Sequence, residues 1–153
     1  RTDCVAGSNQ ALWLDNSHAR GVVMERILWD AKKFSVGYTL MDAQHQQIVE
    51  MINGLIDLSE TEFTVQEALH AYVKISQLVV KHFGAEEAIL RLEGTDFLEE
   101  HTKSHDLFSD QLADRLAHCN GLGLEDSIKF LANWWVAHIL NEDMKYKPLF
   151  TDI

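Results

Sequence analysis

The sequence predicts an all-α protein: an up-and-down, antiparallel four-helix bundle with an N-terminal extension. Two observations support this fold class. From about residue 41 onward, apolar side chains recur at spacings of three and four, the period of a helix with one buried face. The 153 residues include a single proline, Pro148, so little interrupts the helical pattern. Four segments of about 20 residues with short connections favour antiparallel packing around one core.

The residues at the segment ends predict where each helix starts and stops. Asp42 lies in the first turn of the first helix, and Thr64 begins a second helix that Gly94 stops. Thr95 or Asp96 is expected to cap the third helix. The predicted helices span approximately residues 41–60, 64–94, 95–121 and 124–145. In the second, the buried stripe is expected to pass through Leu69, Val73, Ser76 or Gln77, Val80, Phe83 and Leu90.

Composition and charge exclude several classes of partner. The formal net charge is −11, from 13 basic and 24 acidic residues, and this surface disfavours nucleic acid and anionic lipid. No apolar run approaches the roughly 18 to 20 residues that a membrane-spanning helix needs, so we expect no membrane contact by this domain. Cys4 and Cys119 form neither a disulfide framework nor a ligand motif, which favours free thiols in a reducing cytoplasm.

The start of the chain suggests a two-part organisation. The sequence begins with Arg1, and its first residues lack the pattern of a secretory signal, so we interpret it as a piece of a longer polypeptide. Residues 1–28 mix Gly, Ser and Asn with short apolar patches, as in a linker or in a loop that lies on the bundle, and both interpretations stay open. Residues 29–153 are predicted to form the folded domain.

Ligand-type residues fall on the apolar stripes of all four predicted helices. Histidines four apart lie on one helix face, about 6 Å apart along the axis, and can point to a common interior site. Any one of them alone is more typical of a hydrogen-bonded core histidine. Their occurrence in four successive helices instead predicts two metal ions that share five imidazoles and two carboxylates. The residues are His45, His82, Glu86, His101, His105, His138 and Asp143.

Asp143 departs from simple helical spacing. It follows His138 by five residues, which on a regular helix turns its side chain about 140° away. The sequence therefore predicts that the last turn of the fourth helix opens or tightens, or that the carboxylate reaches around.

These segments together resemble the hemerythrin domain, over residues 29 to about 150. The resemblance is carried by four motifs that hold all seven ligand-type residues in order: DAQH at 42–45, HFxxEE at 82–87, HxxxH at 101–105 and WxxxHIxxxD at 134–143. The residues at 29–37 and the YKP at 146–148 are similar to bacterial members of the family.

The resemblance implies a non-heme centre of two iron ions. His101, His105 and His138 would hold one iron. His45 and His82 would hold the other, with one position left open for a small ligand. The Asp143 spacing belongs to the family pattern.

The resemblance also implies how the centre is bridged and enclosed. Glu86 and Asp143 would bridge both irons together with an oxo or hydroxo group. Apolar walls around bound dioxygen would exclude water and favour release over further chemistry. The expected wall residues are Ile48, Phe83, Trp134 and Ile139. Trp135 is not assigned to the wall, because adjacent helical residues face about 100° apart, and Glu87 is expected to be solvated.

We therefore expect reversible dioxygen binding, in an oxygen- or redox-sensing domain attached covalently to a bacterial signalling protein such as a chemotaxis receptor. The alternatives are oxygen storage or transport, and a diiron oxidase or peroxidase. Oxidases of the ferritin-like class use Glu-x-x-His pairs, whereas this chain has pairs four apart and mostly histidine, so we expect no enzyme. His18, His70 and His118 fall outside the pattern and are expected at the surface.

Overall fold

The computed structural model describes residues 24–117 and 123–150, and these contain helices and connecting segments but no strand. Helix α1 (Ala31–Phe34) is a single turn, and two short 3-10 turns follow the last helix, at Asp143–Lys145 and Lys147–Leu149. The four long helices are α2 (Thr39–Ser59), α3 (Val65–Leu92), α4 (Leu98–Ala117) and α5 (Leu124–Asn141).

The start of α3 is the clearest of the predicted helix ends. The Thr64 hydroxyl accepts a hydrogen bond from the Glu67 backbone N–H at 3.2 Å, and the Glu67 carboxylate accepts one from the Thr64 N–H at 2.8 Å. This reciprocal capping box satisfies two N–H groups that the first turn leaves unpaired. At the other end, Gly94 adopts φ +65°, a left-handed conformation that ends the helix as predicted.

Thr95 does not cap α4 as expected. Its hydroxyl and its backbone N–H both donate to the Leu90 carbonyl at 3.2 Å, so it closes the C-terminus of α3 instead. The last carbonyl groups of a helix have no partner within the helix and need donors from the residues that follow. Thr95, directly after Gly94, supplies two donors to one of these carbonyls. Helix α4 therefore starts later than predicted, at Leu98.

The inward face of α3 differs from the predicted stripe. Val73 and Val80 are 37% and 59% exposed, so that part of the prediction is wrong, while Phe83 is buried as expected. His82 and Glu86 face the bundle interior, and this sets the rotation of the helix. Counting back from them by threes and fours gives the row that is actually buried: Val79, Ile75, Tyr72 and Ala68.

The four long helices pack around one core, which confirms the predicted fold class. Helix α2 contacts α3 and α5, and α3 contacts α4. Helices α4 and α5 meet through aromatic side chains, because the Phe108 ring stacks on Trp134 with ring centroids 3.8 Å apart and on Phe130 at 5.6 Å. The interior between these contacts holds the polar cluster described below.

Residues 24–30, here called the strap, run along α2 without regular secondary structure. Buried Asn53 donates its amide N–H to the Ile27 carbonyl at 2.9 Å and accepts from the Ile27 N–H at 2.8 Å. Arg26 forms an ion pair with Asp57, one turn further along α2. The C-terminal part of the predicted extension is thus fixed to the bundle.

Several expectations lie outside the described residues: the character of residues 1–23, the end of the third helix, and the roles of Cys4, His18, His118 and Cys119. Within the ranges that are described, no helix has the length and apolar character needed to cross a bilayer. His70 is exposed on α3, as expected.

Candidate metal centre

The structure brings all seven predicted ligand residues together inside the bundle. Helix α2 contributes one, α3 and α4 two each, and α5 one, while the seventh lies in the 3-10 turn that follows α5. None is more than 4% exposed: His45, His82, Glu86, His101, His105, His138 and Asp143. Buried titratable groups at this density require strong partners, because each charge loses its hydration.

The helical winding changes at the end of α5, as the Asp143 spacing predicted. The α-helix ends at Asn141, and Glu142 takes φ −102° and ψ −55° before the 3-10 turn begins at Asp143. The chain therefore leaves the regular α-helical path between His138 and Asp143. The Asp143 carboxylate consequently lies 3.1 Å from Nε2 of His138.

The donor atoms fall into two groups, and within each group all of them lie within 4.8 Å of one another. The larger group, here the three-histidine half, has five members: His101, His105, His138, Glu86 and Asp143. The smaller group, the two-histidine half, has four: His45, His82, Glu86 and Asp143. Glu86 and Asp143 belong to both, so the two halves share their carboxylates.

Distances between neighbouring donors match those expected around a metal ion. Two ligands about 2.1 Å from one ion and at right angles lie about 3 Å apart. The Oε2 atom of Glu86 lies 3.0 Å from Nε2 of His101 and 3.2 Å from Nε2 of His105. On the other side, Nε2 of His45 lies 3.2 Å from Oδ2 of Asp143.

Several of these donors have no hydrogen-bond partner. Both ring nitrogens of His45, Nε2 of His82 and both carboxylate oxygens of Asp143 are buried without one. Buried polar atoms are nearly always paired, and a cation at the centre of each group would satisfy one nitrogen of each imidazole and the Asp143 oxygens. The residues present therefore fit a centre of two cations.

The ionisation states also suit cations. Burial and the neighbouring Glu86 act to raise the pKa of Asp143, but His138 and His45 outweigh them and hold that pKa at about 2. Burial likewise opposes ionisation of Glu86, yet hydrogen bonds from His101 and His105 keep its pKa well below the usual range. Burial lowers the pKa of His82 to about 3, so at neutral pH its ring keeps a lone pair for a metal.

Comparison with known proteins identifies the family. The model of the hemerythrin HHE cation-binding domain matches residues 36–150, which include all seven ligand-type residues. The chain belongs to the hemerythrin family. Hemerythrins are oxygen-binding proteins with a diiron centre, and the buried cluster supports oxygen binding at such a site in this chain.

Relatives from bacteria and animals support this hemerythrin assignment. A bacteriohemerythrin from Pseudomonas aeruginosa is 33% identical over 128 residues, covering 80% of each chain. A myohemerythrin from Theromyzon tessulatum is 31% identical over 125 residues, covering 82% of this chain and 94% of its own. The crystal structure of a wild-type hemerythrin superposes with a TM-score of 0.74 at 27% identity, covering 82% of this chain and 98% of that one.

The outer nitrogens of two hemerythrin histidines have partners from α2 and α3. Nδ1 of His82 lies 2.9 Å from the side-chain oxygen of Gln44, and Nδ1 of His105 lies 2.8 Å from a carboxylate oxygen of Glu87. Such contacts place the proton on Nδ1 and leave Nε2 to bind metal. The expectation that Glu87 is solvated is wrong, because its side chain is 19% exposed and pairs with the imidazole of the facing helix.

Aromatic rings enclose the hemerythrin centre on both sides. In the three-histidine half, Phe83 stacks on His105 at 3.7 Å between centroids, and Trp134 stacks on His138 at 4.3 Å. In the two-histidine half, Trp135 lies 5.3 Å from His82 and 5.8 Å from His45, in edge contacts. Sequence reasoning left Trp135 out, although it precedes His138 by three residues and so shares its inward face.

The other two expected wall residues, Ile48 and Ile139, are wholly buried. Ile48 follows His45 by three residues on α2, and Ile139 follows His138 directly on α5. Of the four expected wall residues, Phe83 and Trp134 thus contact ligand rings, Ile48 and Ile139 are buried, and Trp134 is the most exposed.

Tyr146 is a further residue of the hemerythrin centre that sequence reasoning missed. Its hydroxyl donates to Oε1 of Glu86 at 2.5 Å, and its side chain is 1% exposed. Burial, together with the negative charge of Glu86, raises the pKa of Tyr146 far above its ordinary value, so the phenol keeps its proton and remains a donor. The available signal was its position, three residues after Asp143.

Proposed function

We propose that this chain binds dioxygen reversibly and serves as an oxygen- or redox-sensing domain of a larger bacterial signalling protein in the cytoplasm. The observation that supports dioxygen binding most directly is the inequality of the two donor groups, five residues against four. In this proposal residues 29–153 are the diiron domain, and residues 1–28 link it to a signalling domain such as that of a chemotaxis receptor.

The donor groups suggest how the irons are held. His101, His105 and His138 would bind one iron, and His45 and His82 the other. Glu86 and Asp143 would bridge them, because each belongs to both groups and their charges offset part of the positive charge of two cations in a buried site. An iron held by the two-histidine half would have one protein donor fewer, and this would leave a position for a small ligand.

When bound, a reduced diiron pair with an open position supplies reversible electron donation to dioxygen. The contribution of the chain is to shield that position. Trp135, Ile48 and Ile139 are all 0% exposed and carry no acid or base that could protonate a bound ligand. A dry, apolar surrounding excludes water and side reactions, and this favours release of dioxygen over catalytic turnover. We therefore propose a binding protein and not an enzyme.

The strap supports a sensing role. Asn53 forms hydrogen bonds with both the backbone N–H and the backbone carbonyl of Ile27. Asn53 follows His45 by eight residues on α2, which is about 12 Å along the helix axis. If a ligand that binds at the metal held by His45 shifts α2, the shift would therefore also move the strap. Such coupling requires that the strap be held differently in the two ligand states.

The first test is an optical spectrum of the iron-loaded protein, reduced without oxygen and then exposed to air. We expect a colourless reduced form that gains near-ultraviolet and visible charge-transfer bands, and loses them again when oxygen is removed. Failure to bind iron would contradict the proposal. Bands that decay irreversibly while peroxide is consumed would favour the oxidase or peroxidase alternative.

The second test follows hydrogen–deuterium exchange of residues 24–30 in the reduced and the oxygenated protein. We expect the exchange rates to differ between the two states, and Asn53→Ala to abolish the difference. Asn133→Ala, at an exposed position on α5, is the matched control and should preserve it. Equal exchange in both states of the unmodified protein would contradict the sensing role while leaving dioxygen binding intact.

A further inference from the structure

We propose that Tyr146 is a positioning residue for the shared carboxylate of Glu86, and that its hydrogen bond favours the reduced state of the metal centre. The inference deepens the proposed function and rests on iron being the metal. Tyr146 is not one of the seven ligand-type residues, and the inference gives its side chain a specific role.

Tyr146 contacts the shared carboxylate of Glu86 directly. The phenol donates to Oε1 of Glu86 at 2.5 Å, and both side chains are 1% exposed, so bulk water cannot replace the donor. The other oxygen, Oε2, faces His101 and His105 at 3.0 and 3.2 Å. Glu86 is therefore held from both sides, on one oxygen by a neutral O–H donor and on the other by the ligand imidazoles.

The path of the backbone brings Tyr146 to this position. Tyr146 lies between the two 3-10 turns, and its backbone N–H donates to the Asp143 carbonyl at 3.1 Å. Its ring lies 6.4 Å from His101 and 5.9 Å from Phe150. Tyr146 thus connects the two carboxylates that both halves share: Asp143 through the backbone turn, and Glu86 through the phenol.

The hydrogen bond from Tyr146 has a chemical consequence. A hydrogen bond to a carboxylate withdraws electron density from it, which makes the carboxylate a weaker donor to a metal. Ferric iron gains more from a strong anionic donor than ferrous iron does, so the hydrogen bond favours the ferrous state. A hydrogen bond to a charged group changes an equilibrium constant by roughly one to two orders of magnitude. The effect on the equilibrium constant for reduction is a part of this, because the hydrogen bond is present in both oxidation states and differs only in strength.

The test is Tyr146→Phe in the iron-loaded protein, which keeps the ring and removes the hydroxyl. We expect two irons per chain to be retained and the equilibrium constant for reduction to fall by about tenfold, measured against redox dyes. The asymmetric carboxylate stretch in the infrared difference spectrum should shift as well. Tyr38→Phe is the matched control, because the Tyr38 ring also packs on Phe150, at 4.8 Å, and it should leave the potential unchanged.

A second variant covers the case in which Tyr146→Phe fails to fold or to load iron. Incorporation of 3-fluorotyrosine at position 146 retains the hydroxyl and makes it a stronger donor, so the potential should move in the opposite direction. An unchanged potential in both variants, with two irons bound, would overturn the inference. If iron binds and the potentials shift as expected but oxygen bands do not reverse, the proposed function fails and the role of Tyr146 stands. Absence of iron from the unmodified protein would overturn both.

Discussion

The two halves of the metal centre share two carboxylates and differ in almost everything else. The three-histidine half has five protein donors, and two of its rings are stacked on aromatic side chains, His105 on Phe83 and His138 on Trp134. The two-histidine half has four donors, and Trp135 meets both of its rings only in edge contacts.

The outer hydrogen bonds follow the same division. The negatively charged Glu87 supports the three-histidine half, whereas the neutral amide of Gln44 supports the other. A charged acceptor orients its histidine more strongly and raises its basicity as a ligand. In the proposed diiron centre, one half would keep its metal coordinated by side chains, and the other would leave coordination incomplete. This difference predicts unequal responses to matched substitutions.

The largest effect is expected from Glu86→Ala, because Glu86 is common to both halves. Its removal takes one donor from each group and leaves two cations close together with less negative charge between them. We expect both irons to be lost, as measured by the iron-to-protein ratio after gel filtration. Glu50→Ala, at an exposed glutamate on α2, is the control and should retain both. Two irons in Glu86→Ala would show that the halves do not depend on a shared carboxylate.

The next effect distinguishes the halves directly. His82→Ala reduces the smaller group to three donors, whereas His138→Ala reduces the larger one to four. We expect His82→Ala to bind one iron per chain and His138→Ala to bind two, with weakened affinity for one of them. Anaerobic titration with ferrous iron measures the stoichiometry. Equal losses in the two variants would contradict the proposed inequality.

The adjacent tryptophans provide a third comparison. Trp135 is fully buried, so Trp135→Ala should lower the free energy of unfolding of the iron-free protein by about 3–5 kcal/mol in urea. Trp134 is only partly buried, and Trp134→Ala should cost less. In the oxidised, iron-loaded protein, azide should bind faster to Trp135→Ala but not to Trp134→Ala. Faster azide binding in the Trp134 variant alone would indicate that the open position lies in the three-histidine half, which contradicts the proposal.

A smaller effect is expected from the outer hydrogen bonds. Glu87→Ala should weaken iron binding by about 10–100-fold, the usual cost of losing an outer partner of a metal-bound histidine. Gln44→Ala should cost less, because the lost acceptor is neutral. Competition with a chelator of known affinity measures both. If the Gln44 variant is the weaker binder, charge is not what separates the two contacts.

The smallest effect is expected from Ser104→Ala. The Ser104 hydroxyl lies 3.5 Å from Nδ1 of His138, at the limit of a hydrogen bond. We expect a change in iron affinity of less than about twofold in the same competition experiment. A loss as large as that of Glu87→Ala would mean that the hydrogen-bond distance in the structure does not rank these contacts.

The fold and six of the seven ligand-type positions were predictable because they depend on helical periodicity, whereas Asp143 departs from that spacing and rested on the resemblance to the family. Histidines four apart on successive apolar stripes have few arrangements other than a common interior site. The same periodicity misplaced the buried face of α3, where Val73 and Val80 form an apolar row of their own. The valines are exposed because His82 and Glu86, on the opposite side of the helix, occupy its interior face, where Glu86 pairs with His101 and Tyr146.

The residues that support the ligands were harder to predict, for a physical reason. Glu87 pairs with a histidine of α4, so its role depends on how two helices pack and not on its own helix. Tyr146 follows the point where the α-helical period ends, and periodicity gives no direction for a side chain beyond it. Trp135 was the exception, since its spacing from His138 already placed it inside.

The pair of hydrogen bonds between Asn53 and the strap has a consequence for sequence variation. Both of its hydrogen bonds end on main-chain atoms of residue 27, one on the N–H and one on the carbonyl. Main-chain groups are the same in every residue except proline, which lacks the N–H. The two hydrogen bonds therefore set the path of the chain without depending on the side chain of residue 27. A substitution there other than proline keeps both hydrogen bonds and changes only the packing of that side chain against the core.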